Sequence, residues 1–103
     1  PTWVEAARVL AERVSKEQAT DDARLARAYA LILSRPPTER EQALLRNLLA
    51  RQRTIYANDP KSADALLAIG ESKRDAALKN TEQAALTAAC LALLNLDAAQ
   101  TRD

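Results

Sequence analysis

Along this chain the apolar side chains recur at intervals of three and four residues, the period of an α-helix. Trp3, Val4, Ala7, Leu10, Ala11 and Val14 form the first stripe. It predicts a helix from about Trp3 to Lys16, opened by a Thr2/Glu5 capping-box spacing. Polar Ser15 to Thr20 make the connection. A second helix is predicted from about Asp21 to Leu33, with two acids in its first turn, where the dipole favours them, and Leu25, Ala28, Tyr29 and Ile32 facing inward. A third covers about Glu39 to Tyr56. Leu44, Leu45, Leu48, Leu49, Ile55 and Tyr56 are assigned to the core, and Arg46, Gln52 and Arg53 lie outside that stripe. Asp59 and Pro60 mark a cap and a first helical position. The short helix that follows holds Ala63, Leu66, Leu67 and Ile69 and ends at Gly70. The segment from Glu71 to Asn80 is the least regular, with Leu78 as its anchor. The last helix starts at Asn80 or Thr81 and runs to about Asn95 on Leu86, Ala89, Cys90, Leu93 and Leu94, and the polar tail from Leu96 to Asp103 is expected to fray.

The sharpest punctuation is Leu33-Ser34-Arg35-Pro36-Pro37-Thr38-Glu39-Arg40-Glu41. Proline fixes its own φ, lacks an amide proton and drives the preceding residue out of the helical region, so two in a row end one helix near Ser34 and leave a stiff corner. Thr38 then caps the next helix, with Glu41 three residues on completing a capping box. Arg35 is placed to reach back to the carbonyl end of the helix before it. Without a repeat of 30 to 45 residues a solenoid is disfavoured. The expected fold is all-α, a compact bundle of four main helices plus one short helix in a single domain spanning 1–103.

Composition agrees with this. Of 103 residues 48% are hydrophobic but only 3% aromatic, with no Phe or Met and one Gly, so alanine and leucine supply the core. A formal net charge of +1 gives a nucleic-acid partner no support. No apolar run approaches the roughly 20 residues of a membrane span. The single Cys90 excludes an internal disulfide. The absence of histidine removes the commonest general base and metal ligand together. Without Met or Cys-x-x-Cys-His the segment cannot hold a c-type haem by itself. The start at Pro1, with no initiator methionine or signal peptide, is read as that of a fragment or processed chain.

Arg24-Leu25-x-x-Ala28-Tyr29 and the Arg35-Pro36-Pro37-Thr38 joint resemble the C-terminal domain of planctomycete-type cell-envelope proteins of unknown function, which commonly carry a cytochrome-c-like domain upstream. Pro1-Thr2-Trp3 through Arg8, then Tyr56, Ala63, Leu67, Gly70 and Glu71, and finally Leu93-Leu94-Asn95-Leu96-Asp97 with Thr101-Arg102-Asp103 are similar to other parts of that pattern, in the same order. Ser34 departs from it, standing where glycine is common, as do Ala98 and Ala99 in the tail. The resemblance implies an exported, periplasmic or envelope protein with this module at its C-terminal end, and any haem in an upstream domain. It transfers no catalytic residue.

Each candidate group has a plain structural role beside any functional one. Cys90, on an apolar helix face, is expected to be a buried, inert thiol. Trp3 and Tyr29 could stack on a ligand but are expected in the core, and Trp3 could also pack on a preceding domain. Arg24, Arg27 and Arg35 could clamp an anion. Pairing of Arg24 and Arg27 with Asp21 and Asp22 is the simpler account, while Arg35 beside the corner is a candidate buried strut. Glu71, Asp75 and Glu82 are the only loop-side acids available for acid–base work. No catalytic, metal or cofactor-binding residue emerges. The residues retained for interaction or structure are Trp3, Arg24, Tyr29, Arg35, Thr38 and Glu71. The expected function is a non-catalytic module that docks through its helix faces on other domains of the same parent chain. Self-association remains open, as does an accessory role beside an upstream haem or catalytic domain.

Overall fold

A computed structural model describes residues 2–68 and 80–100. Five helices follow in order: α1 (Thr2–Glu17), α2 (Asp21–Leu33), α3 (Glu39–Asn58), the short α4 (Pro60–Leu67) and α5 (Asn80–Gln100). No strand occurs among the described residues. The fold is a compact all-α globule with a radius of gyration of 12.9 Å, as expected for a domain of this length.

α5 is the axis of the structure and touches each of the other four helices. Five consecutive residues, Gln83, Ala84, Ala85, Leu86 and Thr87, are all buried. At about 100° per residue they sweep more than a full turn, so this part of α5 is enclosed on every side. Its alanines allow that enclosure, because small side chains let neighbouring helices approach closely. Ala89, Cys90 and Leu93 continue the buried surface. They meet Ala7, Ala11 and Val14 of α1, Leu25, Ala28 and Tyr29 of α2, and Leu45 and Leu49 of α3 in one core cluster. Ala63 and Leu67 of α4 form a smaller cluster with Ala84, and Tyr56 packs against both.

α2 and α3 run antiparallel across the proline joint. Tyr29 meets Glu41 near the joint, and farther away Arg46 pairs with Asp22 and Arg53 with Asp21, each through two hydrogen bonds of 2.7–2.9 Å. Thr20 is the N-cap of α2, its hydroxyl accepting from the Ala23 N–H at 3.2 Å. Asp59 caps α4 and Pro60 is its first residue, as the sequence indicates.

Several expectations are corrected. Leu44 and Ile55 are 60% and 51% exposed, because α3 turns the neighbouring row, Leu45, Leu49 and half-buried Tyr56, toward α5. Arg53, four residues past Leu49, belongs to that inward row and is half-buried. Trp3, placed in the core by its stripe, is 51% exposed in the first turn of α1. α3 continues to Asn58, and α5 to Gln100, so Leu96 to Gln100 are helical. Nothing between Asn80 and Gln100 is a Gly or Pro, so no local signal stops the helix at Asn95. The Thr2 side chain, Ile69, Gly70, Leu78 and residues 101–103 lie outside the described residues.

Ser34 closes α2. Its N–H still donates to the Ala30 carbonyl at 2.9 Å, but its backbone is left-handed, with φ 62° and ψ 24°. It is the one non-glycine residue with positive φ among the described residues. A Cβ is unfavourable there, and glycine is the usual occupant. Ser34→Gly is therefore expected to raise the unfolding free energy by about 1 kcal/mol, read by urea titration, whereas Ser34→Ala brings no gain.

Candidate functional site

The joint gathers three of the six retained residues, Tyr29, Arg35 and Thr38, around Glu41. Ser34 reverses the chain, Pro36 forces Arg35 out of helical backbone, and Thr38, extended at φ −70° and ψ 168°, starts α3. The capping box forms as expected: the Thr38 hydroxyl accepts from the Glu41 N–H at 3.1 Å, and Glu41 Oε1 accepts from the Thr38 N–H at 2.8 Å. The carboxylate does more than cap. Arg35 donates from Nη1 to Oε1 at 2.8 Å and from Nη2 to Oε2 at 2.9 Å, and the Tyr29 hydroxyl donates to Oε2 at 2.7 Å. The Arg35 guanidinium also lies over the Tyr29 ring, 5.1 Å from its centre, within cation–π range.

Four donors thus converge on one carboxylate, which offers about four acceptor positions. The bidentate arginine contributes most to holding the Glu41 carboxyl far below the ordinary carboxylate value, followed by the Thr38 amide and the Tyr29 hydroxyl. Burial, then the bond to Glu41, pushes the Tyr29 phenol up. A carboxylate so engaged has no acceptor left for a substrate proton. Its chemistry is that of a strut. Arg35 is multiply bonded as expected, but its side chain is 48% exposed, and it reaches forward to α3 and not back to the carbonyl end of α2.

Arg24 does a related job elsewhere. It donates to the carbonyls of Gln18 at 2.8 Å and Ser15 at 3.2 Å, closing the C-terminal end of α1 from α2. Arg27 bonds Glu17 at 3.2 Å, so the expected local pairing of Arg24 and Arg27 with Asp21 and Asp22 is replaced by bonds to other elements. The three arginines are not brought together as an anion clamp. No ring contact joins Trp3 to Tyr29 among the described residues. Glu71 and Asp75 lie outside the described residues. Glu82 meets Arg53, whose pairing with Asp21 and Glu82 ties α2, α3 and α5 together.

A cleft of ≈ 90 Å³ adjoins this tie, lined by Ser15, Asp21, Arg24, Arg53, Glu82 and Gln83 among others. It has room for about three waters. Its charges balance: two arginines and two acids. Reading the sequence missed a further polar cluster. Arg8, 1% exposed, and Gln83 both donate to Glu12 Oε1, at 3.2 and 2.7 Å. Their one signal was a charged residue beside Ala7 and Ala11 on an apolar stripe. Cys90 is buried as expected, and burial pushes its thiol up to about 12, leaving it protonated at neutral pH. No group of acids, Cys and His able to hold a metal occurs among the described residues, and no helix is long and apolar enough to cross a membrane.

Comparison of the chain with protein-family models, with curated proteins and with solved structures finds no match. The likeness to the envelope-protein domain therefore rests on the motif residues alone.

Tyr29→Phe removes one donor and should lower stability by about 1.5 kcal/mol in urea titration, with the helical circular-dichroism signal retained. Glu41 has a pH signature. In the unfolded chain it takes up a proton near its ordinary 4.5, whereas the native state holds that proton off to much lower pH. Its contribution is complete above that window and is lost as pH falls through it to the native value. Glu41→Gln should therefore lower stability at neutral pH and flatten its decline below about pH 4.5. A decline as steep as that of the parent chain would refute the assignment.

Proposed function

We propose that this chain is a helical interaction module with no reaction centre of its own, the C-terminal part of a larger exported envelope protein, docking on other domains of that parent. The observation that carries this reading is the outer face of α3. Leu44 and Ile55 lie 11 residues apart, nearly in line on the helix, and both are more than half exposed, with half-buried Leu48 between them. Exposed apolar side chains aligned along one helix suit a protein contact better than scattered ones do. Trp3, exposed in the first turn of α1, is a second candidate contact toward a preceding domain. The polar groups of the joint support the same reading, since their bonding capacity is used between helices. The envelope location and the parent architecture rest on the resemblance of the joint motif.

The test is photo-crosslinking in the parent protein with p-benzoylphenylalanine in place of Leu44. The expected product is an intramolecular crosslink to another domain of the same chain. A probe that forms no crosslink, or links only separate chains, overturns the reading.

A further inference from the structure

We propose that the outer face of α3 receives an acidic amphipathic helix. This rests on the interaction-module reading and adds the chemistry of the partner. Arg40, Leu44, Arg51 and Ile55 fall within an arc of about 60° on α3, at about 100° per residue, and all four are exposed. From Arg40 to Ile55 the face is about 22 Å long, about four helical turns. Ala43, Asn47, Ala50 and Thr54 line one side of it, also exposed and all small or short. That relief lets a second helix axis come close while its own apolar residues settle between Leu44 and Ile55.

Charge selects among the possible occupants. The acids of α3, Glu39 and Glu41, lie about 100° to either side of Arg40, outside the arc. Glu41 is committed to the joint, and Glu39 lines the groove on the opposite flank with Pro36, Pro37 and Arg46. The other arginines of α3 are engaged, Arg46 with Asp22 and Arg53 with Asp21 and Glu82. Arg40 and Arg51 make no side-chain hydrogen bond or ion pair among the described residues. The face is thus apolar along its length and positive at two points, without a balancing acid in the arc. Two copies of the chain packed through it would bring four arginines together, which disfavours self-association. A helix with a leucine stripe flanked by glutamates meets both features, burying Leu44 and Ile55 and pairing Arg40 and Arg51.

The experiment titrates the 103-residue chain, followed by fluorescence anisotropy, with a labelled four-turn peptide carrying leucines at helical spacing flanked by glutamates. A matched peptide has lysines in place of the glutamates. The acidic peptide is expected to bind, more weakly as salt is raised, and at least about tenfold more tightly than the lysine peptide. Arg40→Glu with Arg51→Glu should reverse the preference, and Leu44→Ser with Ile55→Ser should abolish binding. Circular dichroism verifies that each variant remains folded. Equal binding of both peptides overturns the acidic-partner inference, as does binding of neither. If the Leu44 crosslink still forms within the parent protein, that failure is confined to the partner's chemistry and the docking reading stands.

Discussion

The Glu41 carboxylate holds the rest of the structure in register. It is the N3 residue of α3, the acceptor for the α3 cap, the partner of the one arginine in the corner and the partner of the α2 tyrosine. Each of those bonds alone would be ordinary. Together they fix where α3 begins, how Arg35 lies over Tyr29 and how far the phenol reaches out of the core. The proline pair supplies a stiff corner, but stiffness does not choose a direction. The convergence on one anion does, since its two oxygens take donors from α2, the corner and the α3 cap at once.

Further ties join the same two helices and α5. The antiparallel run of α3 along α2 brings Arg46 to Asp22 and Arg53 to Asp21, and Glu82 then draws the start of α5 to the same arginine. These pairs are partly or largely exposed, and exposed pairs contribute up to about 1 kcal/mol each, so they specify register more than they supply stability. Stability comes from α5, enclosed around Gln83 to Thr87 and touching every other helix. Arg24 completes the arrangement by closing the end of α1 from a different helix.

Local chemistry was legible wherever the chain punctuates itself. The bounds of α2, the starts of α3 and α4 and the capping box could be read from Asp21, Pro36-Pro37, Thr38, Glu41 and Asp59-Pro60, because caps and prolines act within four residues. Which row of α3 faces inward was not legible: Leu44 and Ile55 are as apolar as Leu45 and Leu49, and only packing against α5 separates them. The same limit hid Arg53 on the inward row and the burial of Arg8. The partners of Arg24 and Arg27 were assigned to near neighbours by spacing, whereas tertiary contacts gave Asp21 and Asp22 bidentate arginines from α3. Trp3 shows the converse, a stripe position at a helix end that stays half exposed. Within the joint, the cap was readable but the fourfold convergence was not, because it depends on Ser34 adopting a left-handed backbone that the serine itself does not favour.

The most direct test is a carbon-13 NMR titration of the Glu41 side-chain carboxyl in the intact chain. If this carboxylate holds the joint, it stays ionised as the pH is lowered through its ordinary 4.5 and changes state only far below, or together with acid unfolding. A midpoint near 4.5 with the fold intact would contradict that role.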